Sequence, residues 1–264
     1  MTTDQFSVAG RTAIVTGASG GIGKVVAERF AADGADVVVC SREQEHVDPV
    51  AAGIDAESGA DDEGHGRSLA VECDVRDREA VDALVEATVD EFGGVDVLVN
   101  NAGASFVAPF SDISENGWKT IVDVNLHGTY HCSQAAGAYM REHGGGAIVN
   151  VSSVAGLHGA PTMSHYGAAK AGVVNLTTSL GTEWADDGVR VNCVAPGFVA
   201  TPGVAAQMGV EADDVDREDV ARRIGTPEEV ADVVQFLASP AASYLVGETV
   251  TVAGVPQNPE VPTS

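Results

Sequence analysis

Lysine is almost missing from this chain. Only Lys24, Lys119 and Lys170 occur in 264 residues, and lysine plus arginine total 14 against 39 acids, a formal net charge of −25. That balance argues against nucleic acid as a partner, because phosphate contacts need clustered Lys and Arg. Aromatic residues are also scarce, at 5%, so a core has to be packed from Val, Ala, Leu and Ile. No run approaches the roughly 20 apolar residues that a membrane helix needs. The start, Met1-Thr2-Thr3-Asp4-Gln5-Phe6, lacks the basic and apolar regions of a secretory signal. Cysteine is limited to Cys40, Cys73, Cys132 and Cys193, each in or beside an apolar run and without metal-ligand spacing. Buried free thiols, no metal and a cytoplasmic location are the expectations. The acids are interleaved with regular apolar periodicity, which speaks against disorder. A surface poor in lysine and rich in acid instead matches proteins of a high-salt cytoplasm, where counterions screen self-repulsion.

What is present is an alternation of strand and helix, the pattern of a doubly wound parallel sheet. Apolar runs predict seven strands at 12–16, 36–40, 68–73, 95–99, 146–151, 189–194 and 248–252. Helical spacing predicts helices at 21–33, 45–57, 77–92, 114–142, 164–186 and 227–238. The length suits one Rossmann-type α/β domain with helices on both faces of the sheet. A polar stretch rich in Gly, Asp and Glu at 55–66 reads as a surface excursion, and Pro256, Pro259 and Pro262 mark an extended tail over 255–264.

The first forty residues carry the first chemical signal. Thr12-Ala13-Ile14-Val15 is a buried-strand run, followed by Thr16-Gly17-Ala18-Ser19-Gly20-Gly21-Ile22-Gly23 and then by helical spacing. Gly17, Gly21 and Gly23 allow a tight turn and let backbone N–H groups approach a pyrophosphate at the helix N-terminus. The spacing is Gly-x-x-x-Gly-x-Gly rather than Gly-x-Gly-x-x-Gly. Its place between strand and helix favours a dinucleotide site over simple turn chemistry. After the second strand, where an acid would bind the 2′-hydroxyl of an NAD ribose, stand Cys40-Ser41-Arg42. Ser41 can donate to a phosphate and Arg42 can grip it with charge-assisted bonds. NADP(H) is the cofactor this predicts; an ordinary surface arginine is the competing reading.

The second signal is Ser164-His165-Tyr166-Gly167-Ala168-Ala169-Lys170. Positions i and i+4 share a helix face, so Tyr166 and Lys170 stand side by side. A neighbouring ammonium favours phenolate and lowers a tyrosine pKa, which gives a proton donor usable near neutral pH. By itself, Tyr-x-x-x-Lys also describes a helix surface pair.

Read together, the landmarks resemble the short-chain dehydrogenase/reductase family from about Val8 to about Gly254. They are Thr16-Gly17-x-x-x-Gly21-x-Gly23, Asp74-Val75, Asn100-Asn101-Ala102-Gly103, Asn125, Ser152-Ser153, Tyr166-x-x-x-Lys170 and Pro196-Gly197-x-x-x-Thr201. Each is weak alone, but seven in register are specific. The resemblance implies a catalytic set of Asn125, Ser153, Tyr166 and Lys170. Tyr166 would give a proton to a carbonyl oxygen, Lys170 would bind the nicotinamide ribose, Ser153 would hydrogen-bond the developing alkoxide, and Asn125 would hold a water reaching Lys170.

The same resemblance assigns the cofactor to Gly17, Ser19, Gly21, Ile22, Gly23, Ser41 and Arg42, with Asp74 accepting from the adenine amino group and Val75 beside it. It adds Asn101, Ala102 and Gly103 along the ribose, Tyr166 and Lys170, and Pro196, Gly197, Val199 and Thr201 toward the pyrophosphate and nicotinamide. A substrate lid over 198–226 is implied, with Phe198, Val204 and Met208 as contacts. His158 and His165 receive no role. Two departures stand out: Gly20 occupies a position where NADP-preferring relatives often have a basic residue, and Val252-Ala253-Gly254-Val255 replaces the common Val-Asp-Gly-Gly. The second puts the expected homotetramer or homodimer in doubt.

The branch most resembled reduces 3-oxoacyl thioesters or oxidises sugars and polyols. Residues 106–125 and 142–145 also resemble enoyl- and dienoyl-thioester reductases. The intact tyrosine, which protonates oxygen rather than carbon, ranks ketone–alcohol interconversion first. A cofactor-binding regulatory module without turnover ranks last, because Asn125, Ser153, Tyr166 and Lys170 are all kept.

Overall fold

The computed structural model describes residues 5–57, 64–204, 209, 212–220 and 223–255. Met208, Glu211, the centre of the 55–66 excursion and the tail from 256 lie outside them. Seven parallel strands form one sheet in the order β3-β2-β1-β4-β5-β6-β7. They are β1 (Thr12–Thr16), β2 (Asp36–Ser41), β3 (Ser68–Glu72), β4 (Val97–Asn100), β5 (Gly146–Val151), β6 (Val189–Pro196) and β7 (Thr249–Val252). The chain runs outward from β1 to β3, then returns to the other side of β1 to continue with β4. The C-terminal ends of β1 and β4 therefore border the crevice where such sheets receive ligands.

Helices cover both faces, which is why central strands such as β1 and β2 are buried along their length, whereas the edge strands β3 and β7 carry polar residues. The helices are α1 (Gly21–Ala32), α2 (Gln44–Glu57), α3 (Arg78–Phe92), α4 (Glu115–Val122), α5 (Gly128–Glu142), α6 (Val154–His158), α7 (Ser164–Trp184) and α8 (Pro227–Ala238). Successive strand residues feed opposite layers. Ala13, Val15, Val37 and Val39 join Phe30 of α1, Ile54 of α2 and Leu237 of α8 in one core. Ile14, Val38 and Leu98 join Leu84 of α3 and Met140 of α5 in the other. All four cysteines are buried and free, as expected from their apolar neighbours.

The predicted elements fall within two residues of the observed ones, with two differences. The expected helix 114–142 contains a π-helical turn, Asp123–His127, between α4 and α5. Its cause is Asn125, whose Nδ2 donates to the Ile121 carbonyl at 2.9 Å and to the Ala104 carbonyl at 2.7 Å. The short helix α6 was not expected; Ser153 caps it by accepting from the Ala155 N–H at 3.2 Å.

Two polar devices hold the layers in place. A buried chain runs from Asn100 Nδ2 to Asn150 Oδ1 (2.8 Å), from Asn150 Nδ2 to Thr177 Oγ1 (2.9 Å) and from Thr177 Oγ1 to the Val173 carbonyl (2.8 Å). It ties β4 and β5 to α7, and its bonds offset much of the cost of burying these side chains, although Asn100 Oδ1 is buried without a partner. Arg190 of β6 donates to the carbonyls of Leu237 (2.8 Å), Ala242 (3.2 Å), Ala238 (3.2 Å) and Ser239 (3.1 Å). Leu237 and Ala238 supply carbonyls that the end of α8 leaves without helical partners, and Ser239 and Ala242 belong to the cap and turn that follow.

Between β6 and α8 the chain makes a long excursion whose two ends are stitched together. Val199 bridges Gly225, the Gly225 N–H donates to the Phe198 carbonyl at 2.8 Å, and the Ala200 N–H donates to the Gly225 carbonyl at 2.9 Å. Arg223 then grips both oxygens of Glu229 (2.8 and 2.7 Å), and Arg217 reaches Asp232 at 3.0 Å. Both acids belong to α8.

Candidate active site

The glycine loop after β1 is shaped by close backbone approach. Gly17 has φ +65°, and a Cβ on it would lie 2.7 Å from the Ala102 Cα; Gly21 has φ +55° and faces Thr201 at 3.2 Å. Thr16 Oγ1 accepts from the Asn101 N–H (3.1 Å) and the Ala102 N–H (3.0 Å), while Asn101 Nδ2 donates to the carbonyls of Thr16 and Gly17, both at 3.0 Å. The loops leaving β1 and β4 are thereby latched together, and the Asn101 side chain serves the latch. Gly23 belongs to the same packing, since a Cβ there would sit 2.4 Å from Asn101 Nδ2.

This latch forms one wall of a cleft of about 590 Å³. Of the sequence-predicted cofactor residues, Gly17, Ser19, Gly21, Ile22, Ser41, Arg42, Asp74, Val75, Asn101, Ala102, Gly103 and Thr201 line it. Gly23, Tyr166, Lys170, Pro196, Gly197 and Val199 lie outside its lining. Gly197 packs on Ala253 and Val199 is buried beneath the stitched excursion. The lining also includes Glu43, His46, Thr120 and Val124, which the sequence reading did not single out. His46 sits one turn into the helix that follows Arg42, and Thr120 and Val124 are spaced i, i+4 just before Asn125. Those spacings were the available signals.

At one end of the cleft, Ser41 Oγ donates to the Glu43 carbonyl at 2.9 Å and Arg42 is exposed. Asp74 is gripped by Arg76, with Nε 2.9 Å from Oδ1 and Nη2 2.5 Å from Oδ2. That guanidinium, ahead of the backbone N–H of Arg76 and the charge of Arg42, holds the Asp74 carboxyl below its ordinary value.

At the other end, Asn125, Ser153, Tyr166 and Lys170 come together. Gly103 joins the two regions. A Cβ on it would lie 2.7 Å from Asn125 Oδ1 and 3.5 Å from Lys170 Nζ, and Gly103 also lines the cleft. Asn125 Oδ1 is buried without a protein partner. Lys170 is buried and donates to the Val151 carbonyl at 2.7 Å. Ser152 Oγ fixes α7 over the end of β5 by donating to the Lys170 carbonyl at 2.8 Å.

The electrostatics correct one expectation. Desolvation raises the Tyr166 pKa, which the hydrogen bond from Ser153 partly offsets. Lys170 Nζ stands 5.7 Å from the Tyr166 ring centroid, and its own pKa is pushed down to about 8 by burial. Without bound ligand, burial outweighs the lysine's pull on the phenol.

Beside this centre His165 is fully buried, packed on Phe106 with ring centroids 4.1 Å apart. The nearby loop holds Thr162 at φ +64°, an unusual conformation for a β-branched residue, and its carbonyl accepts from the Ala108 N–H at 2.8 Å. Among the described residues no His, Cys, Asp or Glu cluster could hold a metal ion, and no helix is long and apolar enough to cross a membrane.

A parallel sheet of this order with a glycine loop after β1 and a Ser–Tyr–Lys–Asn centre defines a class of dinucleotide-dependent oxidoreductase. The comparisons agree. A family model described as enoyl-(acyl carrier protein) reductase matches residues 17–254. The chain is 43% identical to cis-4-hydroxycyclohexanecarboxylate dehydrogenase of Sinomonas cyclohexanicum, over 92% of this chain and 95% of that protein. It is 39% identical to a 3-oxoacyl-[acyl-carrier-protein] reductase of Synechocystis sp., over 92% of this chain and 96% of that one. The crystal structure of a short-chain type dehydrogenase/reductase from Mycobacterium marinum superposes with a TM-score of 0.85 at 34% identity, covering 95% of this chain and 97% of that chain. The chain belongs to the short-chain dehydrogenase/reductase family, whose members use NAD(P), and it is an enzyme acting on CH–OH donors.

Proposed function

We propose that this enzyme interconverts a ketone and a secondary alcohol with NADP(H). The observation that carries the reading is the gathering of Asn125 Oδ1 and Lys170 Nζ around Gly103, at the end of the glycine-lined cleft and beside the hydrogen-bonded Ser153 and Tyr166. The residues fit a dinucleotide. Glycines let the loops after β1 and β4 approach each other at the wall of the cleft, and a buried acceptor, Asn125 Oδ1, is left for a water. When bound, the nicotinamide supplies hydride to the carbonyl carbon.

Tyr166 then gives its proton to the carbonyl oxygen. Ser153 donates to the same oxygen as charge develops there, a preorganised donor of the oxyanion-hole kind. Lys170 has one ammonium proton on Val151 and two left for the ribose hydroxyls. Its charge then stabilises the tyrosinate left by proton transfer, once ligand has closed the site. The water on Asn125 Oδ1 connects Lys170 to solvent and returns the proton. At the far end Arg42 and Ser41 receive the 2′-phosphate, and Asp74, already oriented by Arg76, meets the adenine amino group. Residues 198–226 serve as the substrate lid. The protein works in the cytoplasm as a homotetramer or homodimer.

The test is Tyr166→Phe. Ketone reduction should fall by at least about a thousandfold, consistent with losing a general acid, while the NADPH dissociation constant stays within threefold. Full activity in that variant refutes the mechanism. NADH matching NADPH at saturation refutes the cofactor assignment. The description of the matching family model favours enoyl-thioester reduction as the second reading. A panel of oxo and enoyl substrates followed at the nicotinamide absorbance decides between them.

A further inference from the structure

The loops that surround this centre are unlike the rest of the chain. Residues 103–111, 152–169 and 191–210 contain no Asp, Glu, Lys or Arg, in a sequence that is 20% charged. These stretches of 9, 18 and 20 residues leave or include the C-terminal ends of β4, β5 and β6, which are adjacent in the sheet and parallel. They open on the same edge as Ser153 and Tyr166. Together they expose large apolar side chains: Val107 (64%), Leu157 (36%) and Phe198 (66%). Leu157 lies on the five-residue helix that Ser153 caps, and Phe198 follows Pro196-Gly197 at the stitched base of the excursion. Exposed apolar side chains that share one sheet edge, rather than being scattered singly, point to a binding surface.

Charge completes the picture. The uncharged stretches offer no cation to a phosphate or carboxylate, and Asp213, Asp214, Asp216, Glu218 and Asp219 follow on the same excursion. With a net charge of −25, the field disfavours anionic substrates that lack dedicated partners. These loops do carry hydroxyl and imidazole side chains, among them Ser105, His158, Thr162 and Ser164, so the case against a polyol rests on the exposed Val107, Leu157 and Phe198.

We propose that the substrate is a neutral ketone or secondary alcohol on a bulky hydrocarbon skeleton, alicyclic or aromatic, held by the apolar rim of Val107, Leu157 and Phe198. This rests on the ketone–alcohol reading and narrows its substrate class, against both a polyol and a coenzyme-bound thioester.

Initial rates with NADPH in molar KCl on 2-decalone, acetoacetyl-coenzyme A and fructose test it. The expected kcat/KM for 2-decalone exceeds the other two by at least tenfold. Phe198→Ser and Leu157→Ser, both at exposed positions, should each lower that value about tenfold, the scale of one lost apolar contact in a specificity pocket. Their NADPH dissociation constants should stay unchanged. If acetoacetyl-coenzyme A or fructose is turned over as well as 2-decalone, the substrate class is wrong and the ketone reading stands. If none of the three is reduced, both fail. Variants that alter oligomeric state but leave selectivity untouched assign the rim to a contact between copies and overturn the proposal.

Discussion

Lys170→Met separates what the lysine does for chemistry from what it costs the fold. Burial holds the Lys170 pKa at about 8, against an ordinary value of 10.5. The folded-state value lies below the unfolded one. Between about pH 8 and 10.5 the native state therefore binds fewer protons, and stability rises with pH. Below pH 8 the whole penalty is present, about 3 kcal/mol for that interval. Methionine removes the charge but leaves the Val151 carbonyl, now bonded to Nζ at 2.7 Å, without its partner. That loss costs about 1–3 kcal/mol, so the net gain at pH 7 is about 0–2 kcal/mol. That gain should fall by about 2–3 kcal/mol as pH rises to 10, so the variant becomes the less stable protein before pH 10. Tyr166, Cys132 and Cys193, whose pKa values burial raises, pull both proteins the other way at alkaline pH. Subtracting wild type from variant removes the Cys132 part of that trend, and the Cys193 part is altered because the Lys170 charge lowers its pKa. The assay is urea unfolding of cofactor-free protein at pH 7, 8, 9 and 10 in fixed molar KCl. A difference flat within about 0.5 kcal/mol across that range, the usual scatter of such comparisons, refutes a buried cationic lysine.

Three further outcomes follow from the same structure. Arg42→Ala should raise the KM for NADPH by about tenfold to a hundredfold, as expected for a lost charge-assisted contact worth about 1.5–3 kcal/mol, while the KM for NADH stays put; equal effects on both cofactors would exclude the 2′-phosphate role. Arg190→Met strands the Leu237 and Ala238 carbonyls at the end of α8, while those of Ser239 and Ala242 keep backbone N–H partners, and should cost about 3 kcal/mol, read from urea unfolding at neutral pH. Raising KCl from low to molar concentration should increase both the melting temperature and the activity, because screening relieves the repulsion of a chain at −25; an unchanged melting temperature removes the high-salt reading.

The strands were legible because short runs such as Val37-Val38-Val39 are buried on both faces and need no tertiary information to be recognised. The motif residues of the centre were legible for a different reason: their spacing mirrors the lengths of the elements between them. What escaped was decided by contacts across the fold. The π-helical turn depends on Asn125 reaching Ala104, 21 residues away, and no periodicity within 114–142 encodes that reach. Five residues are too few for α6 to show a helical period. His46, Thr120 and Val124 belong to the cleft only because of the way α2 and α4 dock, which sequence spacing leaves open. The Tyr166 pKa went the opposite way from the pair argument because proximity in sequence says nothing about desolvation.

The stitch between Phe198, Val199 and Gly225 has a consequence for how such an enzyme changes over time. Because the excursion leaves and re-enters the body at one seam, its interior can be lengthened, shortened or replaced as a cassette without moving β6, α8 or the proton-transfer centre. A chimaera cut just inside that seam keeps the scaffold and the Val107, Leu157 and Phe198 rim of one parent and takes only the excursion of the other.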